Sequence, residues 1–352
     1  MPSHRGRGRG KLSSSLRVLL TGGAGYIGSH IGLHLAAAGH DVVSFDDLSS
    51  GNAWAVKAGE LVQGDVTDSA ALEQLFAARS FDAVIHLAAL SSVEASAARP
   101  EDYYRVNVLG TLAFLQRCRQ AGVRALVFSS SAAVYGTPQR LPVEESAALA
   151  PISPYGASKA MAERIISDVG AAAGLATLSL RYFNVAGADP LGRLGEATPE
   201  PWHLITVACE AALGKRPGLT IFGDDYDTPD GTCIRDYVHV DDVAAAHLAA
   251  LDYLLAGGAS QVLNCGYGEG ASVRQVVNAV KRLAASNFPV NTAARRPGDP
   301  PVLVAKAERI GRLLDWQPRF ADLDAIVGSA LDWQRRRENH PPGPPPGPPV
   351  AD

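Results

Sequence analysis

Short apolar runs rich in β-branched residues recur along the chain, and segments with helical periodicity lie between them. The runs read RVLL, DVVSFD, ELVQGDV, DAVIHLAA, ALVFSSS, ATLSLRYF, LTIFG and QVLNCG. They are mostly continuous rather than alternating, which is typical of strands buried on both faces of a parallel sheet. Helical patterns occupy residues 26–38, 69–79, 104–121 and 155–172. This alternation predicts an α/β fold with a doubly wound, Rossmann-type parallel sheet.

The pattern changes after Asn184, where two long polar segments rich in Gly, Pro and Asp interrupt the apolar elements. Loops of such length are usually functional or disordered. Because apolar elements lie among them, we expect an ordered, smaller C-terminal substrate-binding lobe. The predicted bounds are 16–183 with a return of 237–265 for the sheet domain, and 184–236 with 266–336 for the lobe.

Composition and charge narrow the classes of function. The chain has 352 residues, 47% of them hydrophobic, and its 32 Lys and Arg against 36 Asp and Glu give a net charge of −4. No domain-scale basic surface indicates nucleic acid, and no apolar run is long enough to predict a membrane span, so a small-molecule partner is expected. The cysteines are far apart and have no disulfide or metal-ligand spacing, so we predict a cytoplasmic protein without a metal site. They are Cys118, Cys209, Cys233 and Cys265.

Both ends of the chain are low in complexity. Residues 1–15 are basic and rich in Gly and Ser, and the apolar stretch that follows is too short for the core of an export signal. Residues 337–352 are rich in proline, which disfavours both helix and sheet. We predict two disordered tails, and a partner-binding motif in the proline-rich end is the alternative.

A glycine-rich turn separates the first strand pattern from the first helix pattern. Residues 18–30 read VLLTGGAGYIGSH, in which Gly22, Gly25 and Gly28 fall three apart. Glycine provides positive φ in such a turn, close approach of the backbone to a pyrophosphate, and close packing of helix on strand. An acidic pair, Asp46 and Asp47, ends the next strand about 20 residues on, as the dinucleotide fingerprint requires. The sheet domain is therefore predicted to bind a dinucleotide.

Asp46 indicates which dinucleotide is bound. A carboxylate there accepts hydrogen bonds from the adenosine ribose and repels a 2′-phosphate, and the following DLSSGN has no arginine, so NAD is predicted over NADP. Asp65 either reaches the adenine amino group or is an ordinary turn aspartate, and both readings stay open. Small residues in HLAAL let the backbone pass close to the cofactor, whereas His86 is interpreted as a core histidine rather than a catalytic base.

Two segments carry candidate catalytic residues. FSSSAAVYG places Ser131 at the end of a strand, and SPYGASK places Tyr155 and Lys159 four apart at the start of a helix, on one face. The reference pKa of tyrosine is about 10, so the phenol needs a nearby positive charge to act as a base near neutrality. We expect Lys159, the positive helix end and a positively charged nicotinamide each to lower the pKa of Tyr155, which then acts as acid and base on a sugar or alcohol hydroxyl, with Ser131 sharing the proton.

With these motifs the chain resembles the extended short-chain dehydrogenase/reductase family, and within it the NAD-dependent sugar-nucleotide epimerases. The matching stretches include TGGAGYIGSH, SSSAAVYG, SPYGASK, RYFNVAGA, IFGDDYDTPDGTCIRDYVHVDD and RRPGD, and they cover nearly the whole chain except its tails. The resemblance implies interconversion of UDP-galactose and UDP-glucose, by hydride transfer from sugar C4 to NAD and back through a 4-keto intermediate. It also implies a homodimer paired through the helices near residues 104–121 and 155–172.

The resemblance also implies roles for individual residues. Ser131, Tyr155 and Lys159 are the catalytic set, and Lys159 also binds the nicotinamide ribose. The cofactor-binding residues are Gly22, Gly25, Tyr26, Ile27, Gly28, Asp46, Asp47, Asp65, Val66, Leu87, Ala88, Ala89, Asn107, Tyr155, Lys159, Tyr182 and Phe183. The substrate-binding residues are Ser131, Asn184, His203, Leu204, Phe222, Arg235, Arg296, Asp299 and Leu303, and the two arginines offer the fork-shaped donors that suit a diphosphate.

At four positions the residue differs from that of other members of this family, and these differences bear on the substrate or on the cofactor. Ala132 and Ala133 stand where 4,6-dehydratases carry an acidic pair, which argues against dehydration. Ser91 replaces a lysine that contacts the cofactor phosphates in many epimerases, so NAD is expected to be held less tightly. Leu303 is intermediate in size at the position that controls access of N-acetylated sugars. A UDP-N-acetylglucosamine or UDP-pentose 4-epimerase is therefore the alternative, and a 4,6-dehydratase or a non-catalytic NAD-binding protein is less favoured.

Overall fold

The computed structural model describes residues 15–199, 201–296 and 298–337. Within this described part, the largest sheet has seven strands, all parallel. Neighbouring strands are parallel because each connection carries the chain back to the same end of the sheet before the next strand begins. Numbered in chain order, they are β1 (Arg17–Thr21), β2 (Asp41–Asp46), β3 (Glu60–Gln63), β4 (Ala83–His86), β5 (Ala125–Ser131), β6 (Ala176–Tyr182) and β10 (Gln261–Cys265). Their order across the sheet is β10-β6-β5-β4-β1-β2-β3.

Helices cover both faces of this sheet, which confirms the predicted doubly wound α/β fold. On one face, α1 (Tyr26–Ala37) and α8 (Val240–Leu255) pack together over the strands. On the other face, α2 (Ser69–Ala78), α5 (Thr111–Gln120) and α6 (Pro154–Ala173) bury Leu72, Phe114 and Ile166. The shorter helices α3 (Val93–Ala98) and α4 (Pro100–Tyr104) precede α5.

A smaller lobe is formed mostly by the second half of the chain. Its strands are β7 (Asn184–Ala186), β8 (Leu219–Phe222), β9 (Ile234–His239), β11 (Gly270–Ser272), β12 (Val290–Ala293) and β13 (Val302–Leu303). Strand β9 pairs with β7, β11 and β13, and β8 pairs with β12. The helices α7 (Leu204–Ala212), α9 (Val273–Ala284) and α11 (Leu323–Arg336) enclose a separate apolar core beside these strands.

The structure differs from the predicted domain bounds in two places. The return to the large sheet begins at Val240 rather than at residue 237, because β9 pairs with the small sheet. Helix α10 (Glu308–Leu314), which falls in the predicted lobe, instead packs on α8 and β10. Its Ile310 and Leu314 join the core of the large sheet, together with Trp316. An apolar run such as YVHV suits either sheet, so the sequence pattern alone could not decide between them.

The helix predicted over 104–121 is interrupted by a π-helical segment, Arg105–Gly110, that joins α4 to α5. This wider turn carries Asn107, whose side chain bonds to the backbone of Leu90 instead of facing solvent. π-Helical turns of this kind are frequent at functional sites.

The tails predicted over 1–15 and 337–352 lie outside the described residues, except for Ser15 and Arg337. Arg337 follows α11, and its guanidinium donates to Glu210 and to the carbonyl oxygen of Thr198. Within the described ranges, no helix is both long and apolar enough to cross a membrane.

Candidate active site

The glycine-rich turn joins β1 to α1 with almost no free space around it. Gly22 has a φ of +72°, and a Cβ there would lie 2.8 Å from the backbone nitrogen of Ala88. A Cβ on Gly28 would lie 2.1 Å from the carbonyl oxygen of Gly22. The turn therefore packs directly on the end of β4 and leaves the amide groups at the N-terminus of α1 for an anion such as a pyrophosphate. These residues fit a dinucleotide.

Asp46 lies next to this turn at the end of β2 and is buried. Its Oδ2 accepts from the backbone nitrogen of Ala24 and its Oδ1 from that of Leu48, each at 2.9 Å. Burial raises the pKa of the carboxyl although these hydrogen bonds oppose the shift. Each oxygen has a second lone pair, so the carboxylate can still accept from two ribose hydroxyls.

The neighbouring acidic candidates are less enclosed. Asp47 accepts from the backbone and hydroxyl of Ser49. The Oδ1 of Asp65 accepts from the backbone nitrogen of Thr67 at 2.7 Å, which is the contact of a turn aspartate, and Val66 beside it is buried. Both readings of Asp65 remain compatible with this geometry, because the carboxylate has a further oxygen.

The segment Leu87–Ala89 packs against the glycine turn, and a buried network of hydrogen bonds holds this segment in place. The backbone nitrogen of Leu90 donates to Asn107 at 2.8 Å, and the Asn107 amide donates to the carbonyl oxygen of Leu90 and to Ser158. Asn107 is a residue that the resemblance implies for the cofactor site, and the structure shows how its side chain holds the end of the strand in place.

His86 is part of the same network. Its ring nitrogens bond to the hydroxyls of Thr21 and Thr111, at 2.7 and 3.0 Å, and its ring stacks on Phe114 and Phe128. Burial and the nearby Lys159 lower the pKa of His86 to about 3. With both nitrogens occupied and no charge, His86 is a core histidine, in agreement with its interpretation from sequence.

The structure brings the three catalytic candidates together at the carboxyl end of β5. Helix α6 begins at Pro154, where the Oγ of Ser153 caps it by accepting from the backbone nitrogen of Gly156. The next residue, Tyr155, lies close to Ser131, the last residue of β5, whose side chain acts to lower the phenol pKa. One turn later, Lys159 donates to the carbonyl oxygen of Ser129 at 2.9 Å. Both α6 side chains are buried.

The pKa of the Tyr155 phenol is raised in the protein rather than lowered. Burial raises it, and the side chain of Ser131 opposes that shift only in part. Burial lowers the pKa of Lys159 itself to about 7, so this amine is only partly protonated near neutrality. The protein's own groups therefore do not, on balance, lower the phenol pKa, and the contribution expected from a positively charged nicotinamide stays a prediction.

Tyr182 and Phe183 follow at the end of β6, the strand next to β5. The strand register places Tyr182 beside Ser131, and the Tyr182 hydroxyl contacts Ser129 Oγ. Both aromatic residues are buried. The side chains of two other cofactor candidates, on α1, have structural contacts: Tyr26 donates to the carbonyl oxygen of Gly187 at 2.6 Å, and Ile27 packs on the apolar core. Their backbone amide groups lie at the N-terminus of α1, and their role toward the cofactor stays a prediction.

The smaller lobe contributes the candidate substrate residues. Arg235 on β9 donates to Asp299 at 2.8 Å and is buried, and Leu303 lies beside it in the strand register. The Arg296 guanidinium lies 4.0 Å from the ring centre of Phe222 and 3.8 Å from Glu94 of the sheet domain. Because Glu94 is far away in sequence, its proximity to Arg296 was not predicted.

Asn184, His203 and Leu204 occupy the starts of two elements of this lobe. Asn184 begins β7 beside Tyr237 of β9, and His203 immediately precedes α7, of which Leu204 is the first residue. The Nδ1 of His203 bonds to the carboxylate of Glu196, which is buried. Glu196 was not singled out from sequence, since it lies in a polar segment with no periodic pattern.

A second buried carboxylate that was not predicted from the sequence lies on the catalytic helix α6 itself. Glu163, one turn beyond Lys159, accepts two hydrogen bonds from the Arg181 guanidinium, at 2.8 and 2.6 Å. Its charge raises the pKa of Lys159, against the larger effect of burial. The signals that could have found this pair are the four-residue spacing from Lys159 and an arginine inside the apolar strand LSLRYF.

The glycine turn, Asp46 and the Ser131, Tyr155 and Lys159 set define a nicotinamide-dependent enzyme of the Rossmann type, with its site at the carboxyl ends of the strands. Residues 18–266 match the NAD dependent epimerase/dehydratase family, and the chain belongs to that family.

Individual relatives agree with this assignment. The chain is 53% identical over 327 residues to a UDP-glucose 4-epimerase of Azospirillum brasilense, a match that covers 93% of this chain and 94% of that protein. A UDP-glucose 4-epimerase from Brucella ovis, solved in complex with NAD, superposes with a TM-score of 0.88 at 44% identity, over 90% of this chain and 98% of that one. A UDP-Glc/GlcNAc 4-epimerase from Campylobacter jejuni matches with a TM-score of 0.80 at 45% identity, over 92% and 100%.

Proposed function

We propose that this chain catalyses the NAD-dependent interconversion of UDP-galactose and UDP-glucose. The observation that carries the proposal is that α6 places Tyr155 and Lys159 at the carboxyl end of β5, where Lys159 donates to the carbonyl oxygen of Ser129 at 2.9 Å, in a sheet whose glycine turn suits a dinucleotide. The same activity is named for the relatives from Azospirillum brasilense and Brucella ovis, and it agrees with the activity predicted from the sequence.

The residues of this chain suggest how the reaction proceeds. Tyr155, close to Ser131, takes the proton from the C4 hydroxyl of the sugar and later returns it. When bound, NAD would supply the acceptor for the hydride from sugar C4 and would return the same hydride, so the reaction would have no net oxidation. Lys159, buried beside Tyr155, would hold the nicotinamide ribose, and its protonated form would stabilise negative charge on the phenol oxygen.

The lobe residues hold the nucleotide end of the substrate. Arg235 and Arg296 present fork-shaped donors to the diphosphate, and Asp299 accepts from ribose hydroxyls while it orients Arg235. Fixing only the nucleotide leaves the 4-keto sugar free to rotate about its link to UDP. The hydride can then return to its opposite face, which inverts C4.

The direct test is conversion of UDP-galactose to UDP-glucose by the purified protein, followed by proton NMR of the anomeric signals. We expect an equilibrium mixture of the two sugars, formed faster when NAD is added because Ser91 offers no ammonium group to the cofactor phosphates. Absence of conversion, with and without added NAD, contradicts the proposal.

A second candidate substrate class is the N-acetylated UDP-hexoses. It is favoured by Leu303, which is smaller than a tyrosine and lies beside Arg235, and by the likeness to the Campylobacter jejuni enzyme. Turnover of UDP-GalNAc by the wild-type protein that disappears in Leu303→Tyr, while UDP-galactose is still converted, supports this second activity. By contrast, the 4,6-dehydratase alternative has no acid–base pair at Ala132 and Ala133.

We propose a homodimer paired along α5, α6 and the π-helical segment between α4 and α5. Leu109 is 60% exposed and Met161 is 47% exposed on this surface. Analytical ultracentrifugation should give a dimer for the wild type and a monomer for Leu109→Glu. Leu191→Glu is the matched control, since Leu191 is also highly exposed but lies in the smaller lobe. A wild-type monomer contradicts the proposal.

We further propose that the enzyme acts in the cytoplasm. Support comes from the cysteines at 118, 209, 233 and 265, which are all free and buried. Cell fractionation with an antibody to the chain tests this location.

A further inference from the structure

A buried carboxylate supports the start of α7 in the smaller lobe. Glu196 is only 4% exposed, and its carboxylate accepts hydrogen bonds from the Nδ1 of His203 and the hydroxyl of Thr206. Its backbone carbonyl oxygen accepts from Trp333 Nε1 at 2.9 Å and from Gln334 Nε2 at 3.2 Å. Glu196 is therefore fixed from two sides, by α7 and by α11.

His203 has one nitrogen tied to this carboxylate and one directed elsewhere. Because Nδ1 bonds to Glu196, Nε2 is the nitrogen that a ligand can meet. The His203 side chain is 39% exposed, so a ligand can reach it. The residue also immediately precedes α7, where backbone amide groups and the helix dipole favour an anion.

The charges around this pair come from two elements. Glu196 lies in the polar segment before α7, and Arg337 at the end of α11 acts on Glu196 from a distance. The uncharged ring of Trp202 lies with its centre 5.1 Å from that of the His203 ring. Farther along α7, the negative charge of Glu210 is taken up by Arg216 and Arg337. Glu196 is thus the acidic group in contact with the imidazole.

The electrostatic result is a histidine that carries a proton more readily than usual. Burial alone lowers the pKa of His203, but the charge of Glu196 and its hydrogen bond outweigh burial, and the pKa is raised. The charge of His203 in turn lowers the pKa of Glu196. A protonated imidazole donates from Nε2, as a diphosphate oxygen requires.

We propose that Glu196 is a positioning residue that holds His203 as a cation against the diphosphate of the UDP-sugar. This inference rests on the proposed function, because it assigns a role toward the same substrate. The Glu196–His203 pair makes the affinity for the substrate depend on pH through a group that takes no part in the chemical step. His203 binds the diphosphate strongly below its folded pKa and weakly as pH rises through that value, whereas Tyr155 and Ser131 control the chemical step.

The test compares Glu196→Gln and His203→Asn with the wild type over about pH 6 to 9, a range in which a UDP-sugar diphosphate keeps its charge. In the wild type, KM for UDP-galactose should rise with pH while kcat follows a separate profile. In Glu196→Gln the glutamine still bonds to Thr206, and the rise in KM should move to lower pH, with KM near neutrality about fivefold to tenfold higher. In His203→Asn this pH dependence of KM should be lost.

Glu210→Gln is the matched control, because Glu210 is also buried and ion-paired on α7 but does not contact His203. Equal pH profiles of KM in Glu196→Gln and the wild type overturn the inference, as does an equal shift in Glu210→Gln, which indicates general loosening of α7.

A binding measurement separates this inference from the proposed function. Calorimetry of UDP-glucose binding to the Tyr155→Phe variant, with and without Glu196→Gln, needs no turnover. Failure to bind any UDP-sugar, together with no epimerisation by the wild type, refutes the proposed function. Binding whose affinity is the same at every pH refutes only the role of Glu196 and His203.

Discussion

Lys159 donates a hydrogen bond to the backbone carbonyl oxygen of Ser129 at 2.9 Å, and this contact anchors the catalytic helix α6 to strand β5. The ammonium group lies 4.9 Å from the ring centre of Phe128 and is shielded from solvent. Burial lowers the pKa of Lys159 to about 7. The protein therefore maintains a buried amine whose protonated form is costly to the fold, at the position where a charge is useful to the reaction.

Lys159→Met should abolish epimerisation and raise the free energy of unfolding of the NAD-free protein. The folded pKa of about 7 is below the value of the unfolded chain, so the unfolded state binds more protons and wild-type stability falls as pH drops from about 10 to 7. The Lys159→Met variant has no amine at this position, so it does not lose stability in this way. We expect it to be more stable by about 1–3 kcal/mol near pH 7, and by less near pH 10.

Urea unfolding at several pH values measures this difference. Lys306→Met is the control, because Lys306 forms an exposed ion pair with Glu144 and its removal should change stability little. A Lys159→Met variant no more stable than the wild type at pH 7 contradicts the expected cost of the buried amine.

Tyr155→Phe should reduce kcat by about 10²–10⁴-fold, because it removes the group that exchanges a proton with the sugar. The ring remains, so UDP-glucose binding measured by calorimetry should stay within about twofold of the wild type. In the wild type, burial raises the pKa of the phenol, so kcat/KM should increase with pH until the phenol is ionised. A variant that keeps most of its rate shows that another group serves as the base.

Asp46→Asn should weaken NAD binding by about tenfold or more and lower stability by about 1–3 kcal/mol. Both carboxylate oxygens accept from backbone amides, of Ala24 and Leu48, and an asparagine has only one acceptor oxygen, so one amide is left unpaired. Fluorescence titration with NAD and urea unfolding measure the two effects. Asp41→Asn, at the opposite end of β2 in an exposed pair with Arg17, should leave NAD affinity unchanged. Equal losses in both variants contradict the role of Asp46.

The sequence predicted the sheet and the chemical groups at its carboxyl edge because both depend on local signals. Apolar runs mark buried strands, and the glycine turn and the Tyr155–Lys159 spacing each lie within one segment. The family and its NAD dependence are confirmed by the family match over residues 18–266.

Features that depend on contacts between distant segments were not predicted. The apolar run of β9 could join either sheet, and only its pairing with β7 decides between them. Glu196 lies in a polar segment, and only the docking of α11 and α7 buries it. The protein's own groups raise the pKa of Tyr155, and the sequence could not show this, since the enclosure of its side chain and of Lys159 is a property of the packed molecule.

Gly28→Ala should disrupt the glycine turn even though alanine favours helices. The added Cβ would lie 2.1 Å from the carbonyl oxygen of Gly22, so the backbone must shift where the dinucleotide would approach. We expect a loss of about 1–3 kcal/mol in stability and at least a tenfold loss in NAD affinity.

Gly32→Ala, one turn along the same helix, separates this steric effect from helix propensity. Its Cβ would lie 3.6 Å from a methyl group of Leu20, an ordinary contact, so the variant should be more stable than the wild type by about 0.5–1 kcal/mol and should bind NAD normally. Thermal unfolding and NAD titration of the two variants make the comparison. The steric explanation is contradicted if Gly28→Ala is also stabilised and binds NAD as well as Gly32→Ala does. In that case, glycine at residue 28 is not required for close packing of the helix on the turn.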